Sequence, residues 1–163
     1  MKKIGLFIAL ALLSVSVAVS APLKGVPAEQ DSSVLIMDDI RFEAIAYTID
    51  SATNTASVTL TLTCLSERSR ELKVNVCGTQ LVDDQRNAYY FSALTMGRVL
   101  MRFEDRQNYL HYLLQPSAPV ELTITAQGIS PQAKAIHMVK VVFEDRKDEG
   151  RFLEAYLLAP AAE

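Results

Sequence analysis

Residues 56–63 read Ala-Ser-Val-Thr-Leu-Thr-Leu-Thr, so Val58, Leu60 and Leu62 alternate with Thr59, Thr61 and Thr63. A period of two puts one set on each face of an extended chain. The apolar set faces a core, and the β-branched hydroxyl set suits a half-buried pleated surface. Val120, Leu122, Ile124 and Ala126 alternate in the same way with Glu121, Thr123 and Thr125. Leu72, Val74 and Val76 alternate with Lys73 and Asn75. Residues 40–49 are strand-like too, but their apolar phase shifts near Ala44, which predicts a bulge. Residues 135–143 and 152–158 are apolar on both faces in part and predict either central strands or strands packed near the termini.

Polar turn signals separate these runs at 50–54, 67–70, 83–87, 104–108, 115–119, 128–131 and 144–150. Short strands repeated at such spacing predict an antiparallel sandwich or barrel. Residues 92–114 fit less cleanly. Met96, Leu100, Phe103, Leu110 and Leu114 would line one helix face, yet Gly97 and the polar break at 104–108 oppose a long helix. Two strands, 96–103 and 109–114, are the favoured reading. Phe103-Glu104-Asp105-Arg106 recurs as Phe143-Glu144-Asp145-Arg146, but the flanking sequences differ, so the echo reads as shared strand-end chemistry.

The first residues follow another logic. Lys2 and Lys3 precede an uncharged apolar run from Ile4 to Val19, and Ala18-Val19-Ser20 offers small residues for cleavage. This is the three-part pattern of a secretory signal peptide, residues 1–20. The run falls short of the roughly 20 residues that span a bilayer, which opposes an uncleaved anchor, and no other run is long and apolar enough to cross, so no integral membrane segment is expected after cleavage. No Cys follows the run to take a lipid. Residues 21–33 carry two Pro and a Gly without periodicity and read as a flexible leader. Residues 34–158 form the domain, and 159–163 a tail.

Export changes the picture of charge and redox state. Loss of Lys2 and Lys3 moves the net charge from −3 to −5. An acidic exported domain is poorly suited to nucleic acid, and no polybasic run addresses anionic lipid. An oxidising compartment allows a Cys64–Cys77 disulfide. Strand phase opposes it, because Cys64 shares the face of Val58, Leu60 and Leu62 while Cys77 falls opposite Leu72, Val74 and Val76. The pairing stays open.

Three segments carry a resemblance: the Thr-alternating strand 56–63, Leu81-Val-Asp-Asp-Gln-Arg-Asn-Ala-Tyr-Tyr90, and the proline-led strand entry at 114–125. In this order they resemble immunoglobulin-like β-sandwich domains of small exported bacterial proteins of uncharacterised function. The resemblance covers residues 34–158 and implies an all-β, antiparallel sandwich of seven to nine strands. Arg86 stands where the turn of such domains usually has Gly, and the Cys…Trp…Cys core of antibody-type domains is absent, as the chain has no Trp. No functional residue carries across.

The search for chemistry is brief. His111 and His137 are the only histidines, both inside strand-like runs, and no Gly-x-Ser-x-Gly elbow occurs. Close Cys or His pairs of the zinc-binding kind are missing. Asp83, Asp84 and Asn87 are the best calcium candidates, without the ligand spacing of an EF-hand, and Asp38-Asp39 is weaker. Asp105 and Glu144 illustrate carboxylates whose separation the sequence leaves free. Tyr89-Tyr90-Phe91 puts adjacent rings on opposite faces, with Tyr109 and Tyr112 following; Tyr89 and Tyr90 are candidates for a recognition surface. The expectation is a secreted or periplasmic, non-enzymatic binding or structural module of the bacterial envelope, without cofactor. Its partner would be another envelope or extracellular protein, or a glycan. Loops 83–88, 104–108 and 144–150 are the places to look. The rivals are a small secreted hydrolase, and an inhibitor or chaperone of an exported partner that uses an open sheet edge.

Overall fold

The structure, a computed structural model, describes residues 32–160. The expected signal peptide, the expected leader up to residue 31 and the expected tail from 161 lie outside the described residues. Eleven strands make up the fold: β1 Val34–Met37, β2 Ile40–Asp50, β3 Thr55–Cys64, β4 Arg70–Asn75, β5 Gln80–Asp83, β6 Ala88–Met96, β7 Val99–Arg102, β8 Tyr109–Leu114, β9 Pro119–Gln127, β10 Ile136–Glu144 and β11 Phe152–Leu158. A single 3₁₀ turn, Phe103–Asp105, lies between β7 and β8. Every pairing between these strands is antiparallel, and one isolated parallel bridge joins Cys64 to Pro116. No helix among the described residues is long and apolar enough to cross a membrane.

The strands form two layers in a sandwich-like arrangement. The first holds β1, β2, β3, β9, the C-terminal half of β6, and β7. The second holds the N-terminal end of β6, then β5, β10, β4, β8 and β11. β6 therefore serves both. Tyr89 and Tyr90 pair with Leu81 and Gln80 of β5, whereas Phe91 and Ala93 to Met96 pair with β9, across a register shift between Phe91 and Ala93. The period-two apolar positions of both layers meet in one core: Val58, Leu60, Leu62, Leu122 and Ile124 from one, Leu72, Val74, Leu81, Val139 and Val141 from the other. Phe42 and Phe143 span the gap, with ring centroids 5.1 Å apart. Burial of that apolar surface is the main force holding the layers together.

The expected bulge in the second strand is present as a register shift between Ala44 and Ala46. The strand count exceeds the expected seven to nine for identifiable reasons. β1 and β2 form a hairpin closed by Asp38 and Asp39, both in the left-handed region (φ 49° and 57°), a two-residue turn made without glycine. β4 and β5 are one interrupted strand running along β10: Val74 pairs with Phe143 and Gln80 with Lys140. The expected strand 96–103 is divided differently. Met96 ends β6, Gly97 turns at φ 56°, and β7 occupies four residues. The end of the leader is also part of the fold, since Ser33 C=O accepts from Ala44 N–H at 2.7 Å and Ser32 C=O from Leu158 N–H at 3.2 Å.

Candidate functional site

The turn at 83–87 is built around Asp83, which is fully buried. Its Oδ1 accepts from Gln85 N–H at 2.9 Å and Asn87 N–H at 2.8 Å. Its Oδ2 accepts from the Asn87 amide and the Tyr89 hydroxyl, both at 2.8 Å. Burial pushes the Asp83 carboxyl up, but hydrogen bonds from Asn87, Tyr89 and Gln85 outweigh it and hold its pKa below the ordinary value. Tyr89 is raised, chiefly by burial, with Asp83 adding to it. Ser130 N–H in turn donates to the Tyr89 hydroxyl at 3.1 Å. Asp84 Oδ1 accepts from Lys134 N–H at 3.1 Å. Arg86 takes φ 69°, the left-handed region that favours glycine, at the position where the resembling domains usually have Gly.

The calcium candidates Asp83, Asp84 and Asn87 are therefore a self-satisfied turn, with four donors already on the Asp83 carboxylate. Asp38 and Asp39 serve a turn as well. Asp38 forms a buried ion pair with Arg70 at 2.9 Å, and its carboxylate accepts from Arg146 N–H at 3.0 Å. Arg70 also donates to the Asp38 carbonyl. Its Nε has no hydrogen-bond partner among the described residues. Among the described residues no group of three or more His, Cys, Asp or Glu is placed to hold a metal ion.

Cys64 is buried and Cys77 exposed, and both are free, so the disulfide is not formed. Strand phase is the reason: Cys64 ends the inward face of β3, while Val76 takes the inward position beside Cys77. Cys77 instead lines a cavity of about 480 Å³ with Phe91, Phe103 and Asn108.

The histidines stand apart in role. His111 Nδ1 lies 2.6 Å from Glu71 Oε1 on the exposed surface of β8 and β4. His137 lines a separate cavity of about 420 Å³ with Tyr47, Asp84 and Lys134. Asp105 Oδ2 accepts from Arg102 N–H at 2.7 Å, and Glu144 pairs with Lys73. Of the three loops, 83–88 and 144–150 adjoin opposite ends of β10, since Ile136 pairs with Asp83 and Glu144 closes the strand.

What the structure assembles is the outer face of the second layer. Registered pairs align Tyr90, Gln80, Lys140 and Tyr156 in one row across β6, β5, β10 and β11. Tyr90 is 63% exposed and Tyr156 44%. Neighbouring strands lie about 4.8 Å apart, so the two tyrosines stand roughly 14 Å from one another with polar side chains between them. Tyr156 donates to Glu154, which raises the phenol's pKa. Further along the face, Tyr109 and Phe152 stack at 5.7 Å, and Lys73 Nζ sits 4.6 Å from the Tyr109 centroid. Lys73 meets Glu144 Oε1 at 2.9 Å; that bond raises the lysine pKa and lowers the carboxyl's.

The sequence candidates divide accordingly. Tyr90 belongs to the exposed row, Tyr89 to the buried turn network, and Tyr112 packs inward against Gly97, where an added Cβ would lie 2.6 Å from its hydroxyl. Gln80, Lys140 and Tyr156 were missed. For Tyr156 the sequence signal is the alternation in 152–158, which marks it as outward only once Ala155 and Leu157 are known to face the core.

No family model and no curated protein matches this chain. Similar solved structures include the yjhA protein from Bacillus subtilis, 11% identical with a TM-score of 0.42, covering 80% of this chain and 98% of that one. A FixG-related protein from Vibrio parahaemolyticus is 7% identical with a TM-score of 0.34, covering 77% of this chain and 100% of that one. Likenesses at these values carry no functional argument.

Proposed function

We propose that the chain is an exported, non-enzymatic binding module of the bacterial cell envelope, an immunoglobulin-like sandwich that receives another macromolecule on the outer face of its second layer. The observation that carries this reading is the row Tyr90–Gln80–Lys140–Tyr156. It combines two exposed rings with hydrogen-bonding side chains on paired strands, the composition of a recognition surface. A rigid sheet fixes the rings at little entropic cost on binding. The separation of the rings suits an extended ligand, a glycan strand or polypeptide, better than a small molecule.

The test compares retention of the full chain on isolated envelope material with that of Tyr90→Ala and Tyr156→Ala. Each variant is expected to bind about ten-fold more weakly, as removal of one interface anchor does. A control on the opposite layer, Thr123→Ala, is expected to bind like the wild type. Unchanged binding by both tyrosine variants, or loss only in the control, would overturn the proposal.

A further inference from the structure

Among the described residues, β8 is an edge strand of its layer and pairs with β4 alone. Its hydrogen-bonding phase follows from one contact. Val76 N–H donates to Asn108 C=O at 3.0 Å, one step beyond the Asn75–Tyr109 pair. Alternation along an antiparallel ladder then turns Leu110, Tyr112 and Leu114 towards β4, and the backbone groups of Tyr109, His111 and Leu113 away from it. Six strong donors and acceptors line that edge.

Such an edge is a template for another strand unless it is blunted by charge, proline, a bulge or a cover. The other edges are blunted, β11 by the charge of Glu154 at mid-strand and by the Leu158 N–H bond to Ser32 C=O at its end. β1 has four residues and lies beside β11, where Leu158 N–H reaches Ser32 C=O. β7 has four residues and is bracketed by Arg98 and Arg102. β8 has six residues, Tyr-Leu-His-Tyr-Leu-Leu, with no lysine, arginine, carboxylate or proline. Leu113 is 57% exposed on it.

We propose that the occupant of this edge is a second copy of the chain, paired β8 to β8, antiparallel, about a twofold axis at His111. In that register His111 faces His111 of the second copy, and Tyr109 faces Leu113 of the second copy at both ends. The contact is self-complementary, as a twofold interface must be. The strand of the second copy covers the exposed Leu113, while the Tyr109 ring stays stacked on Phe152. Sliding by two residues leaves either Tyr109 or Leu113 without a partner. The nearest charges agree with the register. Glu71, 2.6 Å from His111 Nδ1, and Lys73, neutralised by Glu144 at 2.9 Å, both lie on β4, at least three strand spacings from their counterparts. Pairing joins the two outer faces into one continuous surface. The inference rests on the edge and not on the tyrosine row.

The test is sedimentation velocity with residue-level amide exchange on the full chain, all samples carrying Cys77→Ser to remove the exposed thiol. The parent is expected to sediment as a dimer, with the amides of Tyr109, His111 and Leu113 protected. Leu113→Lys is expected to halve the mass, with an unchanged circular dichroism spectrum, and to expose those three amides while Leu110, Tyr112 and Leu114 stay protected. Should Leu113→Lys fail to fold, His111→Cys replaces it, and oxidation is expected to give a disulfide-linked dimer through residue 111. A monomeric parent with three unprotected amides, or a dimer that survives Leu113→Lys, would overturn the proposal. So would a monomer whose three amides become protected only on adding an extended apolar peptide, which would assign the edge to another chain. Leu113→Lys leaves Tyr90 and Tyr156 intact, so loss of the dimer and loss of envelope binding are read separately.

Discussion

Asp83 decides how the 83–87 turn behaves. Four donors converge on one buried carboxylate, and hydrogen bonds to a charged acceptor are among the stronger ones. Asp83→Asn replaces an acceptor by a donor facing Asn87 and Tyr89. It is expected to cost about 2–3 kcal/mol at neutral pH, read by urea denaturation. The sign of the pH dependence follows from the lowered pKa. The carboxylate's contribution is complete above its ordinary value of 3.8 and is lost as the pH falls through the lower, folded value. The gap between wild type and Asp83→Asn is therefore expected to narrow in acid, and a gap independent of pH would contradict this account. The sequence supplied a carboxylate in a polar turn, which is equally the description of a cation ligand. What separates the two is the direction of the Asn87 and Tyr89 donors, set by the path of β6 into β5. The cysteines were more legible, because strand phase alone places Cys64 inside and Cys77 outside.

The elements were legible where alternation was strict. β3 and β9 follow their Thr and apolar positions closely, and the bulge in β2 falls at the phase shift near Ala44. Legibility failed where an element depends on a neighbour. β1 exists because β2 is there to pair with it, and no Asn-Gly or Asp-Gly marks its turn. The split of β4 from β5 hangs on Thr79, which is fully buried. Its hydroxyl donates to Asn75 C=O at 2.9 Å and accepts from Val142 N–H at 3.2 Å, replacing the ladder bonds the interruption removes. Thr79→Val keeps the shape and leaves both backbone groups unpaired. It is expected to destabilise by about 1–3 kcal/mol in urea unfolding, with Thr79→Ser retaining most of the stability. Equal stability of Thr79→Val and wild type would show that the hydroxyl does not hold the interrupted strand.

At the scale of the whole molecule, alternation predicts how many faces are solvated but not which residues of different strands become neighbours. The tyrosine row draws on β6, β5, β10 and β11, separated by up to 76 positions in the chain, from Gln80 to Tyr156. Only the topology brings them together, which is why Tyr90 was a sequence candidate and Tyr156 was not. The same topology leaves β8 at an open edge. The face and the edge make distinct demands on solvent access, and the demand of the face is read in one experiment. Hydroxyl-radical footprinting of the full chain, free and bound to isolated envelope material, reports side-chain exposure residue by residue. Binding is predicted to protect Tyr90 and Tyr156 while leaving exposed Ile45 and Leu65 of the other layer reactive. Protection centred on Ile45 and Leu65, with both tyrosines as reactive as in the free chain, would contradict the account.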